Sequence, residues 1–215
     1  MKKYRFAVFD LDGTLLNTIG DLTAAVNFAL EKHGMPKRTE KDTAAFLGNG
    51  AEVLIALSVP GGKENPSFSS VLSSFKEYYA ANNTVFTKPY EGIEKVLNSL
   101  DQKGIKYALV SNKFDKAVKL LEKKYFEGRF ETAVGEYEGI KRKPAPDLVL
   151  KAMENMNAPK DQTVYIGDSE VDIKTAQNCG IDCISVSWGF RSREELVQSG
   201  AKTIIDTPNE LLDFF

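Results

Sequence analysis

Asp10 and Asp12 are separated by one residue, Leu11, and followed by Gly13 and Thr14, at the end of the largely apolar run Tyr4–Phe9. The run reads as a buried strand. While the chain stays extended, side chains two apart face the same way, so both carboxylates can converge on one pocket while Leu11 turns into the core. Gly13 permits a sharp turn out of the sheet, and the Thr14 hydroxyl can orient a carboxylate or bind an anion. Two close carboxylates suit covalent catalysis at phosphorus: one attacks, and the other protonates the leaving oxygen and later deprotonates water. Such a pair repels a phosphate dianion, so the chemistry demands a divalent cation, a lysine and hydrogen-bond donors elsewhere. The same residues also fit a strand ending in an Asp-Gly turn with both acids solvated. The rest of the chain decides between the two.

Three later clusters supply the demanded groups. Ser111, Asn112 and Lys113 close a strand pattern just before a helix, where a hydroxyl, an ammonium and free helix N–H groups make an anion site, or where Ser111 or Asn112 simply caps the helix. Lys143 precedes Pro144-Ala145-Pro146, a rigid turn suited to presenting an ammonium to a phosphoryl oxygen, although a solvated surface lysine has the same sequence. Asp168 and Asp172, after Gly167, lie four apart across a helix start and so share a face. Hard oxygen ligands without histidine or thiol suit Mg²⁺, while aspartates also favour helix N-termini for dipole reasons alone.

These clusters need a frame that brings them together. The pattern alternates from about residue 90: helix 92–103, strand 105–110, helix 114–125, strand 132–134, helix 146–156, strand 163–166, helix 170–178, strand 183–186, helix 193–199, strand 202–205 and helix 208–214. Strands joined by helices imply a parallel, doubly wound α/β sheet, and all four clusters fall at its carboxyl edge, where open sheets of this kind bind ligands. Between the first strand and this alternation lies a block with no strand signal over 17–85. It carries helical patterns at 20–33, 51–57 and 68–81. The expected organisation is therefore an α/β core at 1–16 and 88–215 interrupted by an inserted α-helical cap at 17–87.

Composition narrows the function further. A formal net charge of −2 leaves no electrostatic footprint for nucleic acid, and no apolar run approaches a membrane span. The basic start Met1–Arg5 leads into an apolar stretch too short for a signal peptide. Cys179 and Cys183 are the two cysteines and have no zinc spacing, which suggests free core thiols in a reducing cytoplasm. His33, the single histidine, precedes a Gly34-Met35-Pro36 loop and reads as a surface residue.

Asp10-Leu11-Asp12-Gly13-Thr14, Ser111-Asn112-Lys113, Lys143 with its Pro-Ala-Pro turn, and Gly167-Asp168-Ser169 with Asp172 resemble, in order, the four motifs of the haloacid dehalogenase-like hydrolases. The resemblance covers nearly the whole chain, and the helical insertion directly after the first motif matches that family's first cap type. Phe46–Leu54 and Trp188–Arg191 resemble a cap segment and a core loop of its phosphoglycolate phosphatases. The fold implied is a Rossmann-like core with a helical cap. The activity implied is Mg²⁺-dependent hydrolysis of small phosphate monoesters through an aspartyl-phosphate.

Carried over by position, the resemblance implies Asp10 as nucleophile and Asp12 as general acid/base. It implies phosphate contacts from Ser111, Asn112 and Lys143, to which the hydroxyl chemistry of Thr14 adds a further candidate. Mg²⁺ would be held by Asp10, the Asp12 carbonyl and Asp168, with Asp172 supporting. Gly48-Asn49-Gly50 in the cap either brings backbone N–H groups to an anionic substrate tail or only forms a tight turn. Asn17 stands where relatives commonly carry aspartate, a position that bears on closure or substrate preference. The expected partner is a small phosphorylated metabolite, with no nucleic acid and no membrane, for a cytoplasmic monomer or homodimer. Pyrophosphate, nucleotides and sugar phosphates, or transfer between sugar positions, are the alternative substrates. A phospho-accepting regulatory domain or a non-catalytic binding protein is the rival from another class.

Overall fold

The computed structural model describes residues 3–215. The chain divides into two compact units, Met1–Leu16 with Pro89–Phe215, and Asn17–Lys88. Strand β1 (Phe6–Phe9) opens the first unit. A ribbon of β2 (Leu16–Asn17) beside β3 (Lys88–Pro89) marks where the chain leaves and returns; at two residues each, these strands are too short to show a periodicity in sequence.

The second unit is helical. It runs through α1 (Ile19–Lys32), α2 (Glu40–Phe46), α3 (Gly50–Ser58) and α4 (Phe68–Asn82). Leu22, Val26, Ala29 and Leu30 of α1 form one stripe and bury it with Leu54, Ile55, Val71, Phe75 and Tyr79. Helix α2 falls in a stretch where the apolar spacing gives no element. Its signal is a reciprocal cap: the Thr39 hydroxyl accepts the Asp42 N–H at 3.1 Å, and Asp42 Oδ2 accepts the Thr39 N–H at 2.9 Å. The buried carboxylate of Asp21, in the first turn of α1, accepts the N–H groups of Phe86 and Thr87 at 2.9 Å each, tying the end of the unit to its beginning. His33 is half-buried rather than freely exposed, with Nε2 3.2 Å from Ser74 Oγ.

The first unit continues as α5 (Ile93–Gln102), β4 (Lys106–Phe114), α6 (Asp115–Phe126), β5 (Thr132–Glu136), α7 (Asp147–Met156), β6 (Thr163–Gly167), α8 (Glu170–Cys179), β7 (Asp182–Val186), α9 (Arg193–Gln198) and β8 (Ile204–Ile205). The closing segment Pro208–Phe214, expected as an ordinary helix, is a 3₁₀ helix. All pairings in the six-stranded sheet are parallel, in the order β5-β4-β1-β6-β7-β8. Its two faces follow the period of two. Ala7, Phe9, Leu109 and Ile166 pack with α5 and α6, while Val8, Val110 and Tyr165 pack with α7 and α8. The register places Phe9 opposite both Leu109 and Ile166, so the segments that follow these three residues emerge side by side at the carboxyl edge.

Both cysteines are free, Cys179 buried and Cys183 half-buried. Burial pushes their thiols up to about 11 and about 12, so both stay protonated at neutral pH. No helix among the described residues is long and apolar enough to cross a membrane.

Candidate active site

Asp10 is the first residue beyond β1, and its N–H still donates to Ile166 O at 2.9 Å, as a further rung of the sheet would. That bond fixes where its side chain emerges, between β4 and β6. Asp10 Oδ1 accepts from Lys143 Nζ at 2.8 Å, and both side chains are buried. The ammonium also donates to Asp172 Oδ1 at 2.7 Å and to the Tyr165 hydroxyl at 3.0 Å, which places all three of its N–H bonds. Its backbone is held in turn, Lys143 N–H donating to Asn112 Oδ1 at 2.7 Å and Asn112 Nδ2 donating to Lys143 O at 2.9 Å. Lys143 is thus a buried, charged group at the centre of the site and not a solvated surface lysine. Burial alone would lower its pKa, but Asp10 and Asp172 overcome that and hold it above the usual lysine range.

The carboxylates around it share the strain. Burial raises Asp10 well above the ordinary carboxylate range; Lys143 opposes the shift, and Asp172 and Asp168 add to it. Burial also pushes Asp168 up to about 7, with Asp172 adding and the Phe190 N–H opposing. Asp168 is gripped on every side. Its Oδ1 accepts from the Thr14 hydroxyl at 3.3 Å and its Oδ2 from the Phe190 N–H at 2.7 Å. A Cβ on Gly13 (φ +88°) or on Gly189 would collide with it. Of the two roles open to Thr14, the structure shows the orientation of a carboxylate. Of the two roles open to Asp172, the structure shows the helix cap: Oδ2 accepts from Ser169 N–H (3.1 Å) and Oγ (2.6 Å), while Oδ1 accepts from Lys143 and Tyr165.

Asp10, Asp168 and Asp172 each offer a buried oxygen, all within 4.8 Å of one another. When all three are ionised they exceed the charge of the one bonded ammonium, and an all-oxygen donor set of this kind fits a hard divalent cation.

The second cluster departs from expectation. β4 does not stop at Val110 but runs on to Phe114, and its pairing with β5 is regular to Val110, slips, and resumes at Phe114. Ser111, Asn112 and Lys113 are the three residues inside the slip. The first turn of α6 therefore begins at Asp115, and none of the three caps it; the N-cap position is Phe114. Ser111 Oγ accepts the Lys113 N–H at 3.2 Å and lies 3.5 Å from Asp12 Oδ2. Lys113 Nζ stands 2.9 Å from Asp12 Oδ1. Asp10 and Asp12 are thus served by different lysines. Gly48, Asn49 and Gly50 stand in the helical unit at the turn between α2 and α3, where both glycines have positive φ (+112° and +81°).

Sequence reasoning did not single out Tyr165, and it met Gly189 only as part of the Trp188–Arg191 loop. A tyrosine in a fully buried strand needs a partner for its hydroxyl, which was the available signal for the first. The closeness of Gly189 to Asp168 had no such signal, because it depends on how the loop after β7 folds over Asp168. Trp188 in that loop donates Nε1–H to Thr14 O at 3.0 Å, bracing the turn after Asp12.

The family model described as haloacid dehalogenase-like hydrolase matches residues 7–186. The phosphoglycolate phosphatase of Pseudomonas fluorescens is 30% identical over 214 residues, covering 97% of this chain and 78% of that protein. The phosphoglycolate phosphatase of Aquifex aeolicus is 30% identical over 187 residues, covering 86% of each. Among solved structures, a protein of Lactobacillus delbrueckii subsp. bulgaricus provisionally assigned as a phosphoglycolate phosphatase superposes with a TM-score of 0.92 at 41% identity, over 97% of both chains.

Proposed function

Because this chain belongs to the haloacid dehalogenase-like hydrolases and is a phosphatase, we propose that it cleaves small phosphate monoesters through an aspartyl-phosphate on Asp10, with phosphoglycolate the first candidate substrate. The observation that carries the reading is the buried Asp10–Lys143–Asp172 chain beside Asp168, at the edge where β1, β4 and β6 end.

Asp10 attacks phosphorus, an Oδ–P bond forms, and the bond from phosphorus to the ester oxygen breaks. The ester oxygen takes a proton from Asp12 and leaves as the alcohol. Asp12 then accepts a proton from water as that water attacks the acyl-phosphate, which frees inorganic phosphate and restores Asp10. Lys143 neutralises the transferring oxygens and stays fixed by Asp172, Tyr165 and Asn112 while charge moves. Ser111, at the same edge, offers a hydroxyl to the phosphoryl group. Asp10 and Asp168, with the Asp12 carbonyl, would hold Mg²⁺. Asp172 is committed to Lys143, Tyr165 and Ser169, which suits a supporting role. A bound Mg²⁺ supplies charge that offsets the repulsion between carboxylate and phosphate dianion. We assign substrate choice to the helical unit as a cap, with Gly48-Asn49-Gly50 as its candidate anion loop.

The test is a phosphate-release assay with EDTA and with Mg²⁺, over phosphoglycolate, other monoesters, pyrophosphate, nucleotides and sugar phosphates. The expected result is Mg²⁺-dependent turnover with phosphoglycolate at or near the highest kcat/KM. Preference for another ester would move the substrate and leave the chemistry, whereas no turnover of any ester would end the reading.

A further inference from the structure

Lys113 is a lysine out of place. It sits at the open edge of a sheet, where a flexible four-carbon stem ordinarily carries its ammonium to water. Yet its side chain is only 6% exposed, and Nζ stands 2.9 Å from Asp12 Oδ1, itself 18% exposed. Sequestering an ammonium is unfavourable without a charged partner, so the pair is geometrically enforced. The register slip between Val110 and Phe114 provides the enforcement. Four residues of β4 advance against two of β5, from Val134 to Glu136, and slips of this sort re-aim side chains beside active sites. The Ser111 hydroxyl, which accepts the Lys113 N–H, pins the slipped backbone.

We propose that Lys113 is a positioning residue for the general acid. It grips one carboxylate oxygen of Asp12 so that the other is presented to the ester oxygen of the substrate. The Ser111 hydroxyl stands 3.5 Å from that other oxygen, Oδ2. This rests on the acid/base role of Asp12 given above. It adds that the acid is held by a lysine separate from the one that binds the nucleophile. Without the grip, Asp12 explores other rotamers and meets the leaving oxygen less often, a loss of orientation rather than of binding.

The experiment compares Lys113→Met, Lys113→Arg and Asp12→Asn on two Mg²⁺-saturated substrates without carboxylates, 4-nitrophenyl phosphate and ethyl phosphate. An aryl leaving group needs little protonation and an alkyl one needs it fully, while general-acid catalysis is worth about 10²–10⁴-fold. Lys113→Met should lower kcat on ethyl phosphate by about tenfold or more. It should change kcat on 4-nitrophenyl phosphate by less than about threefold and leave KM near wild type. Lys113→Arg should recover part of the loss, since it restores a cation that reaches Asp12. Equal losses on both substrates, no loss on either, or a loss confined to KM would each overturn the proposal. If Asp12→Asn itself hits both substrates equally, the acid role of Asp12 falls. If Asp12→Asn is selective and Lys113→Met is not, only the role of Lys113 falls.

Discussion

Asp10 and Lys143 meet across 133 positions of sequence, Oδ1 to Nζ at 2.8 Å, and both side chains are largely buried. The pair joins the end of β1 to the turn before α7, so the nucleophile proposed here and its counter-charge come from distant parts of the chain. Replacing Asp10 by asparagine keeps the shape and an oxygen that can accept from Lys143, but removes the nucleophilic charge. Asp10→Asn should fold normally, melt within a few degrees of wild type, and lose turnover by at least about 10³-fold. Phosphate release at matched protein concentration, with circular dichroism to confirm the fold, checks this. Substantial activity in the folded variant would remove the covalent mechanism.

Lys143 carries a structural burden besides its proposed role in the reaction. Its ammonium is bonded to Asp10 and Asp172 together. Lys143→Met should therefore leave two buried carboxylates uncompensated and destabilise the protein by about 3–5 kcal/mol. Adding Asp172→Asn removes one of those charges and should recover part of the loss, a non-additivity that urea denaturation of the two single variants and the double variant would measure. Additive losses would mean that the two residues do not depend on one another.

The placement of the four clusters was legible in sequence because strand ends, glycine turns and the helix–strand alternation are local signals, and register does the rest. Once Phe9 pairs with Leu109 and Ile166, Asp10 and Asp168 must share an edge. Which lysine serves which aspartate was not legible. That depends on the slip after Val110, which has no signature in the run Val110-Ser111-Asn112-Lys113. The grip on Asp168 was equally hidden, since it is made by the Phe190 N–H and by the closeness of the Gly13 and Gly189 backbones. These are contacts of main chain, which residue types alone do not reveal.

Asp168 gives a pH signature with a definite sign. Burial raises it from 3.8 to about 7, so between these values the folded protein holds a proton that the unfolded chain has lost. Its contribution to stability is full below about pH 4 and is lost as pH rises toward 7. Asparagine at this position has no such dependence. In EDTA, the stability of Asp168→Asn relative to wild type should therefore rise from pH 4 to pH 7 and level off above, by on the order of a few kcal/mol. Mg²⁺ should raise the wild-type melting temperature at pH 8 and leave Asp168→Asn nearly unmoved. Melting curves at four pH values, with and without Mg²⁺, test both statements. A relative stability independent of pH would show that Asp168 is ionised throughout.

The last prediction concerns a residue with no functional group. Gly189 lies in the loop after β7, and a methyl group there would run into Asp168 and stand 2.5 Å from the Gly13 carbonyl oxygen. Neither neighbour can yield freely, because Asp168 is bonded to Thr14 and Phe190, and the turn after Gly13 is braced by Trp188. Gly189→Ala should cost about 1–3 kcal/mol of stability as an overpacked site. It should also cost function beyond that, because Asp168 must move. We expect a loss of the Mg²⁺-induced rise in melting temperature and a fall in kcat/KM of at least about tenfold, since small displacements of an orienting group are expensive. Gly139→Ala is the matched control: its φ of +90° makes alanine strained there too, but nothing lies within 4 Å of the added methyl. The control should lose stability and keep its Mg²⁺ response. If both variants respond to Mg²⁺ like the wild type, Gly189 is only a loop glycine and the grip on Asp168 does not depend on it.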